Sequence, residues 1–202
     1  MSTPRKRPRQ QRSKETYDAI LEAAAQLFER DGRAKATTNR IAERAGVSIG
    51  SLYQYFPDKD ALLYALGERH MLRLVAGLSA TLSGLRTSNP PLPQTVTALV
   101  HAVADVHTTE PGLHRLLYDQ APRPKETAAR LREVQKWIAA EVEHHLHRLA
   151  VGGPDRRLTA LLLVQSIEAQ VHGALLDPPE GCTTAQVVSA IEQLCLGALG
   201  RP

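Results

Sequence analysis

From Tyr17 to Leu199 the apolar residues return at three- and four-residue intervals, and this stride commits the chain to helices before any other feature is considered. Tyr17, Ile20, Leu21, Ala24, Leu27 and Phe28 form the first stripe, and Leu62, Leu66, Leu74, Leu78, Leu82 and Leu85 a longer one. Val96, Leu99, Val100, Val103 and Val106 make a third, and Leu131, Val134, Ile138, Val142, Leu146 and Leu149 a fourth. The breaks fall at Asn89-Pro90-Pro91, Pro111, Pro122 and Pro124, Gly152-Gly153-Pro154 and Pro178-Pro179, where proline or glycine cannot sustain a helix. Only 2 Phe and 1 Trp occur in 202 residues, and runs of β-branched residues are few, so strands are not expected. The reading is an all-α chain of about nine helices.

The densest punctuation lies near the N-terminus. Gly32 ends the first helix, and Thr37 or Thr38 caps a short second one through Ile41 to Ala45. Gly46 supplies a left-handed residue, and two positions later Ser48 caps a third helix over Ile49 to Tyr55 that Pro57 terminates. Asp58 caps the long fourth helix. Two short helices about a tight glycine turn form a helix-turn-helix, whose second helix enters the DNA major groove. Val47, Leu52 and Phe56 have the spacing to face Leu21, Phe28 and Ile41, which turns Gly50, Ser51, Gln54 and Tyr55 outward. Gly50 permits close backbone approach, Gln54 can pair with an adenine edge, and Ser51 and Asn39 can reach bases. Thr37, Thr38, Tyr53, Tyr55 and Lys59 are suited to phosphates, and Ser48 joins the DNA-facing set beside its capping role. Caps and packing aromatics would use the same residue types, so the motif as a whole carries more weight than any one side chain.

The stretch T-T-N-R-I-A-E-R-A-G-V-S-I-G-S-L-Y-Q-Y-F-P-D-K-D-A-L-L, Thr37 to Leu63, closely resembles the DNA-binding signature of the TetR family of bacterial transcriptional regulators. The likeness covers about Ser13 to Leu66. It implies a helix-turn-helix unit followed by a helical ligand-binding and dimerisation domain, and a repressor released from a palindromic operator by a small molecule. The expected divisions are a disordered basic arm over 1–12, a DNA-binding domain over 13–58 and a regulatory domain over 59–202.

Charge agrees with a nucleic-acid partner. Arg5, Lys6, Arg7, Arg9, Arg12 and Lys14 place six positive charges in the first fourteen residues with no acid among them, and the remainder sums to −2 within a net +4. Such a segment is drawn to polyanions.

One recognition helix reads only a few base pairs, so pairing of protomers is required. The last two helices are the candidates for a homodimer interface, through Leu161, Ile167, Val171, Val187, Ile191 and Leu194. The stretch Leu158 to Leu176 is apolar on most of its circumference and is expected to be buried nearly all round. An effector pocket between helices would draw on His107, His114, Tyr118, Trp137, Gln165, Glu168 and His172. Glu141 with His145, and Glu168 with His172, stand at i, i+4, but their helices hold the two pairs out of register; no metal site is assigned, and His145 is expected on a solvated face. No nucleophile elbow, phosphate loop, zincin or dinucleotide motif occurs, so no catalytic residue and no cofactor is expected. Cys182 and Cys195 lack metal or disulfide spacing. No run is expected to span a bilayer, and the reading is a cytoplasmic protein. A metal-sensing regulator and a constitutive architectural DNA binder remain the alternatives.

Overall fold

The computed structural model describes residues 3–4, 11–122 and 124–200, and among them there are nine α-helices and no strand. They are α1 (Gln11–Lys35), α2 (Thr38–Arg44), α3 (Ile49–Tyr55), α4 (Lys59–Ser88), α5 (Leu92–Thr108), α6 (Pro111–Gln120), α7 (Lys125–Leu149), α8 (Arg156–Gln170) and α9 (Thr184–Leu199). A single π-turn, Val171–Leu175, extends α8. Most of the expected arm, including Arg5, Lys6, Arg7 and Arg9, lies outside the described residues. Arg12 does not belong to a disordered arm: it is helical, in the first turn of α1.

The chain divides into two compact units. The first runs to Leu72 and takes in Glu110–Pro124; the second comprises Arg73–Thr109 and the chain from Lys125 onward. A cut at 58/59 would separate the start of α4 and all of α6 from the first unit, and packing shows why they belong to it. Leu62, Leu63 and Leu66 of α4 and Leu113, Leu116 and Leu117 of α6 are buried in one cluster with Ile20, Leu21, Leu27, Phe28, Ile41, Leu52 and Phe56. The Glu29 carboxylate of α1 accepts the N–H of Gly112 at 3.2 Å and that of Leu113, satisfying two of the amides left unpaired where α6 begins. His114, buried in α6, lies against His70 of α4 with ring centroids 4.3 Å apart.

In the second unit Val96, Val100 and Ala104 of α5, Leu146 of α7, Ala160 of α8, Val171 and Leu175 of the π-turn, and Val187, Ile191, Cys195 and Leu199 of α9 form the core. Thr183 caps α9, and the reciprocal bond from the Thr183 N–H to Gln186 completes a capping box.

Three expectations are corrected here. The α8 segment is not buried nearly all round: Ala160 is its only buried residue before the π-turn, and Leu158, Leu161 and Leu162 face outward. The same stretch, Arg156–Leu175, has 20 residues and contains an 18-residue window of mean hydropathy 1.2, long and apolar enough by length and composition to cross a bilayer, which was not expected of any run. His145 is not on a solvated face either. It is 2% exposed, its Nδ1 accepts from Arg148 Nε at 3.3 Å, and Arg148 also donates to the Pro90 carbonyl at 2.9 Å and to Thr95 Oγ1 at 3.1 Å. Burial, followed by the neighbouring positive charge of Arg148, pushes the His145 pKa below its ordinary value. Its i, i+4 partner Glu141 instead pairs with Arg86 at 2.9 Å.

Candidate nucleic-acid interface

The geometry of the first unit follows from its caps. Thr37 Oγ1 accepts the Arg40 N–H at 3.3 Å to start α2, and Gly46, at φ 68°, reverses the chain while the Val47 N–H reaches the Ala42 carbonyl at 3.0 Å. Ser48 Oγ then accepts the Ser51 N–H at 3.0 Å, and Asp58 Oδ1 accepts the Ala61 N–H at 2.9 Å at the head of α4. With α3 only seven residues long, these caps and the inward Leu52 and Phe56 hold it in place.

Outward from α3, Gly50, Tyr53 and Gln54 are exposed, as is Asn39 on α2, and Ser51 is half-buried with its hydroxyl 3.0 Å from that of Ser48. A Cβ at Gly50 would meet only Ser48 Oγ, at 3.9 Å, so packing within the chain does not call for glycine there. Tyr53 Oη lies 3.1 Å from Thr38 Oγ1, which ties the two hydroxyls into one polar edge across α2 and α3. Lys59 Nζ donates to the Arg33 carbonyl at 2.7 Å. Asp31 is held well below the usual carboxylate range by its bond to Arg30 at 2.8 Å and its contact with Arg40 at 2.6 Å, so these two arginines are compensated within the protein.

Tyr55 corrects the expected outward set. It is 7% exposed, with its ring among Tyr17 and Phe56 and its hydroxyl 2.9 Å from Ser13 Oγ. The α-helical stride of α3 places it three residues after the buried Leu52, on the inner side of the unit. The Ser13 contact was not legible from spacing, because its 42-residue separation follows no local periodicity.

The residues proposed for an effector fall in both units. His107 and His172 meet edge to face with centroids 5.2 Å apart, and His107 Nδ1 lies 2.8 Å from the Val103 carbonyl. Glu168 accepts from Gln135, a partner that sequence reasoning missed. Trp137 is half-buried, Gln165 is exposed on the face of α8 that carries Leu161 and Leu162, and His114 and the exposed Tyr118 belong to the first unit. Of the residues chosen for dimerisation, Val171, Val187 and Ile191 are core of the second unit, Ile167 packs against that core, and Leu161 and Leu194 are exposed. Leu158 and Leu162, not among those choices, are exposed as well, and Leu161 and Leu162 stand three and four residues after Leu158 on one helical face.

A helix-turn-helix with an outward reading helix, joined in one chain to a helical second unit, defines a DNA-binding transcriptional regulator. Residues 20–66 match the family described as bacterial regulatory proteins, tetR family, and residues 91–199 match the tetracyclin repressor-like C-terminal domain; the chain belongs to the TetR family. The nucleoid occlusion factor SlmA of Actinobacillus pleuropneumoniae serotype 5b is 34% identical over 109 residues, 54% of this chain and 52% of that protein. The chain thus spans about half the length of the curated relatives it first matches. SlmA of Haemophilus ducreyi is 29% identical over 164 residues, 78% of this chain and 79% of its own. Among solved structures, the fatty acid degradation regulator FadR from Bacillus halodurans superposes with a TM-score of 0.66 at 22% identity, covering 97% of this chain and all of that one. NalD, the secondary repressor of the MexAB-OprM multidrug efflux pump in Pseudomonas aeruginosa, gives 0.63 at 18%, covering 92% of this chain and 98% of its own. The structural likenesses carry the fold, and TetR-family regulators bind DNA and typically dimerise.

Proposed function

We propose that this chain is a non-enzymatic, cytoplasmic repressor that binds a palindromic DNA operator as a homodimer and leaves it when a small organic effector binds the second unit. The observation that carries the DNA reading is the exposed face of α3, where Gly50 has open space above it and Gln54 stands free of the core. Gln54, Asn39 and Ser51 read base edges. Thr37, Thr38, Ser48, Tyr53 and Lys59 set the register on phosphates, and the basic start of the chain adds to that electrostatic hold.

Three substitutions test this face together. Gly50→Ala adds a methyl that meets only Ser48 Oγ, at an ordinary van der Waals distance of 3.9 Å, so stability should hold or rise by about 0.5–1 kcal/mol while operator affinity falls through lost backbone approach. Gln54→Ala should cost about 1–3 kcal/mol per contacted base and relax preference at one symmetric pair of operator positions. Lys59→Ala should weaken specific and random duplex alike and reduce the salt slope by about one per half-site. Titrations of operator and random duplex at several salt concentrations read all three. If Gln54→Ala weakened both duplexes equally while Lys59→Ala changed base preference, the assignment would be reversed.

For the effector, the reading rests on His107, His172 and Glu168 standing among the apolar residues of α5, α8 and the π-turn, with Trp137 on α7, since polar groups in such surroundings are retained at a cost. π-turns also recur at functional sites. A bound effector should raise the melting temperature and weaken operator binding by the same coupling factor that operator exerts on effector binding. A thermal-shift screen followed by operator titration checks this. A ligand that stabilises the protein yet leaves operator affinity unchanged would favour the constitutive architectural binder.

A further inference from the structure

Tyr55, expected from sequence to face DNA, is committed elsewhere. Its ring stands edge-on to Tyr17, with centroids 6.1 Å apart at 78°, and Tyr17 lies 4.8 Å from Phe56. These contacts join the start of α1 to the end of α3, and a phenylalanine would make them equally well. The hydroxyl adds one thing: its 2.9 Å bond to Ser13 fixes the first turn of α1 at one place beside the end of the recognition helix. Arg12 and Lys14, both exposed, flank Ser13, and Arg5, Lys6, Arg7 and Arg9 precede it in sequence with no intervening acid.

Building on the DNA-binding reading above, we propose that Ser13 and Tyr55 are a positioning pair that sets the cationic start of α1 beside α3, so that Arg12 and the cations preceding it make phosphate contacts that the recognition helix alone does not. Neither residue touches DNA in this arrangement. A cation held at a fixed place loses less freedom on meeting a phosphate than one on an unanchored chain. Phosphate contacts are blind to sequence, so the pair should govern affinity and salt dependence without altering base preference.

The test uses the full chain and a labelled random-sequence duplex, titrated between about 50 and 200 mM salt, the range over which counterion release is readily resolved. Loss of one phosphate contact per protomer removes about 0.9 from the salt slope for each, so across this fourfold rise in salt Tyr55→Phe should lose about tenfold less affinity than the parent chain. Ser13→Ala should match it, and Ser13→Thr, which keeps the hydroxyl, should restore the parent slope. In a chain with Arg5, Lys6, Arg7, Arg9 and Arg12 all changed to Gln, adding Tyr55→Phe should change nothing further. Tyr55→Phe and Ser13→Ala that lower the melting temperature but keep the parent slope would make the bond a packing feature and overturn the proposal. The same slope change appearing in the neutralised chain would overturn it too, since the cations would not be what the pair positions. Failure of the parent chain to bind duplex at the lowest salt would instead sink the DNA-binding reading itself, and this inference with it.

Discussion

Changing Leu162 and Leu194 together to Glu should leave the helices folded, convert the protein from dimer to monomer, and weaken operator binding at least about 100-fold, the scale on which linking two binding modules raises affinity. Leu158, Leu161, Leu162 and Leu194 are 50%, 37%, 52% and 61% exposed in the single chain. They lie on α8 and α9, which pack on each other in the second unit through their other faces. Full burial of one leucine is worth about 1.5–3 kcal/mol, and in a two-fold interface each residue counts twice. Covering this face with a second copy is therefore a large favourable term, and four introduced carboxylates would replace it with desolvation cost and like-charge repulsion. Because both side chains already point away from the core, circular dichroism should be unchanged. Light scattering of the eluted protein reads the mass, and duplex titration reads the affinity. A double variant that stays dimeric would remove α8 and α9 from the interface.

The places where sequence and structure part company share a physical cause. Periodicity reports which residues want burial but not what buries them. The α8 stretch reads as apolar all round, and the single chain divides those residues between its own core, which takes Ala160, Val171 and Leu175, and an outward face that takes Leu158, Leu161 and Leu162. Caps and turns were legible because they are local: Thr37, Gly46, Ser48 and Asp58 each act within three or four residues. Bonds that span the chain were not. Glu29 satisfies α6 across more than eighty residues, Ser13 meets Tyr55, and Arg148 reaches Pro90 and Thr95, and none of these leaves a repeating mark in the sequence. For the same reason the outward face of α3 was legible apart from Tyr55, whereas two of the residues expected at the effector site, His114 and Tyr118, fall in the first unit.

Leu52→Ala should unfold the first unit while sparing the second. Leu52 is fully buried, on the inner side of a seven-residue helix that lacks the length to persist alone, and it shares a core with Ile20, Phe28, Ile41 and Leu62. Truncating a buried leucine costs about 2.7–5 kcal/mol when the surroundings cannot collapse into the void. Set against a domain stability of about 5–15 kcal/mol, that is from about a fifth to nearly all of what holds the unit together. Loss of α3 order removes the reading face itself, so specific and random duplex should be lost in parallel, unlike the selective defect of Gln54→Ala. None of the second unit's core residues belongs to the Leu52 cluster, so the dimer should survive. Leu52→Met, which conserves volume, should cost less than about 1.5 kcal/mol and retain DNA binding. Urea unfolding followed by helical signal, with chromatography in parallel, should show an early transition in Leu52→Ala that precedes dissociation. A single transition in which helices and dimer are lost together would mean that the two units do not unfold independently, and an unchanged midpoint would mean that α3 turns a different face to the core.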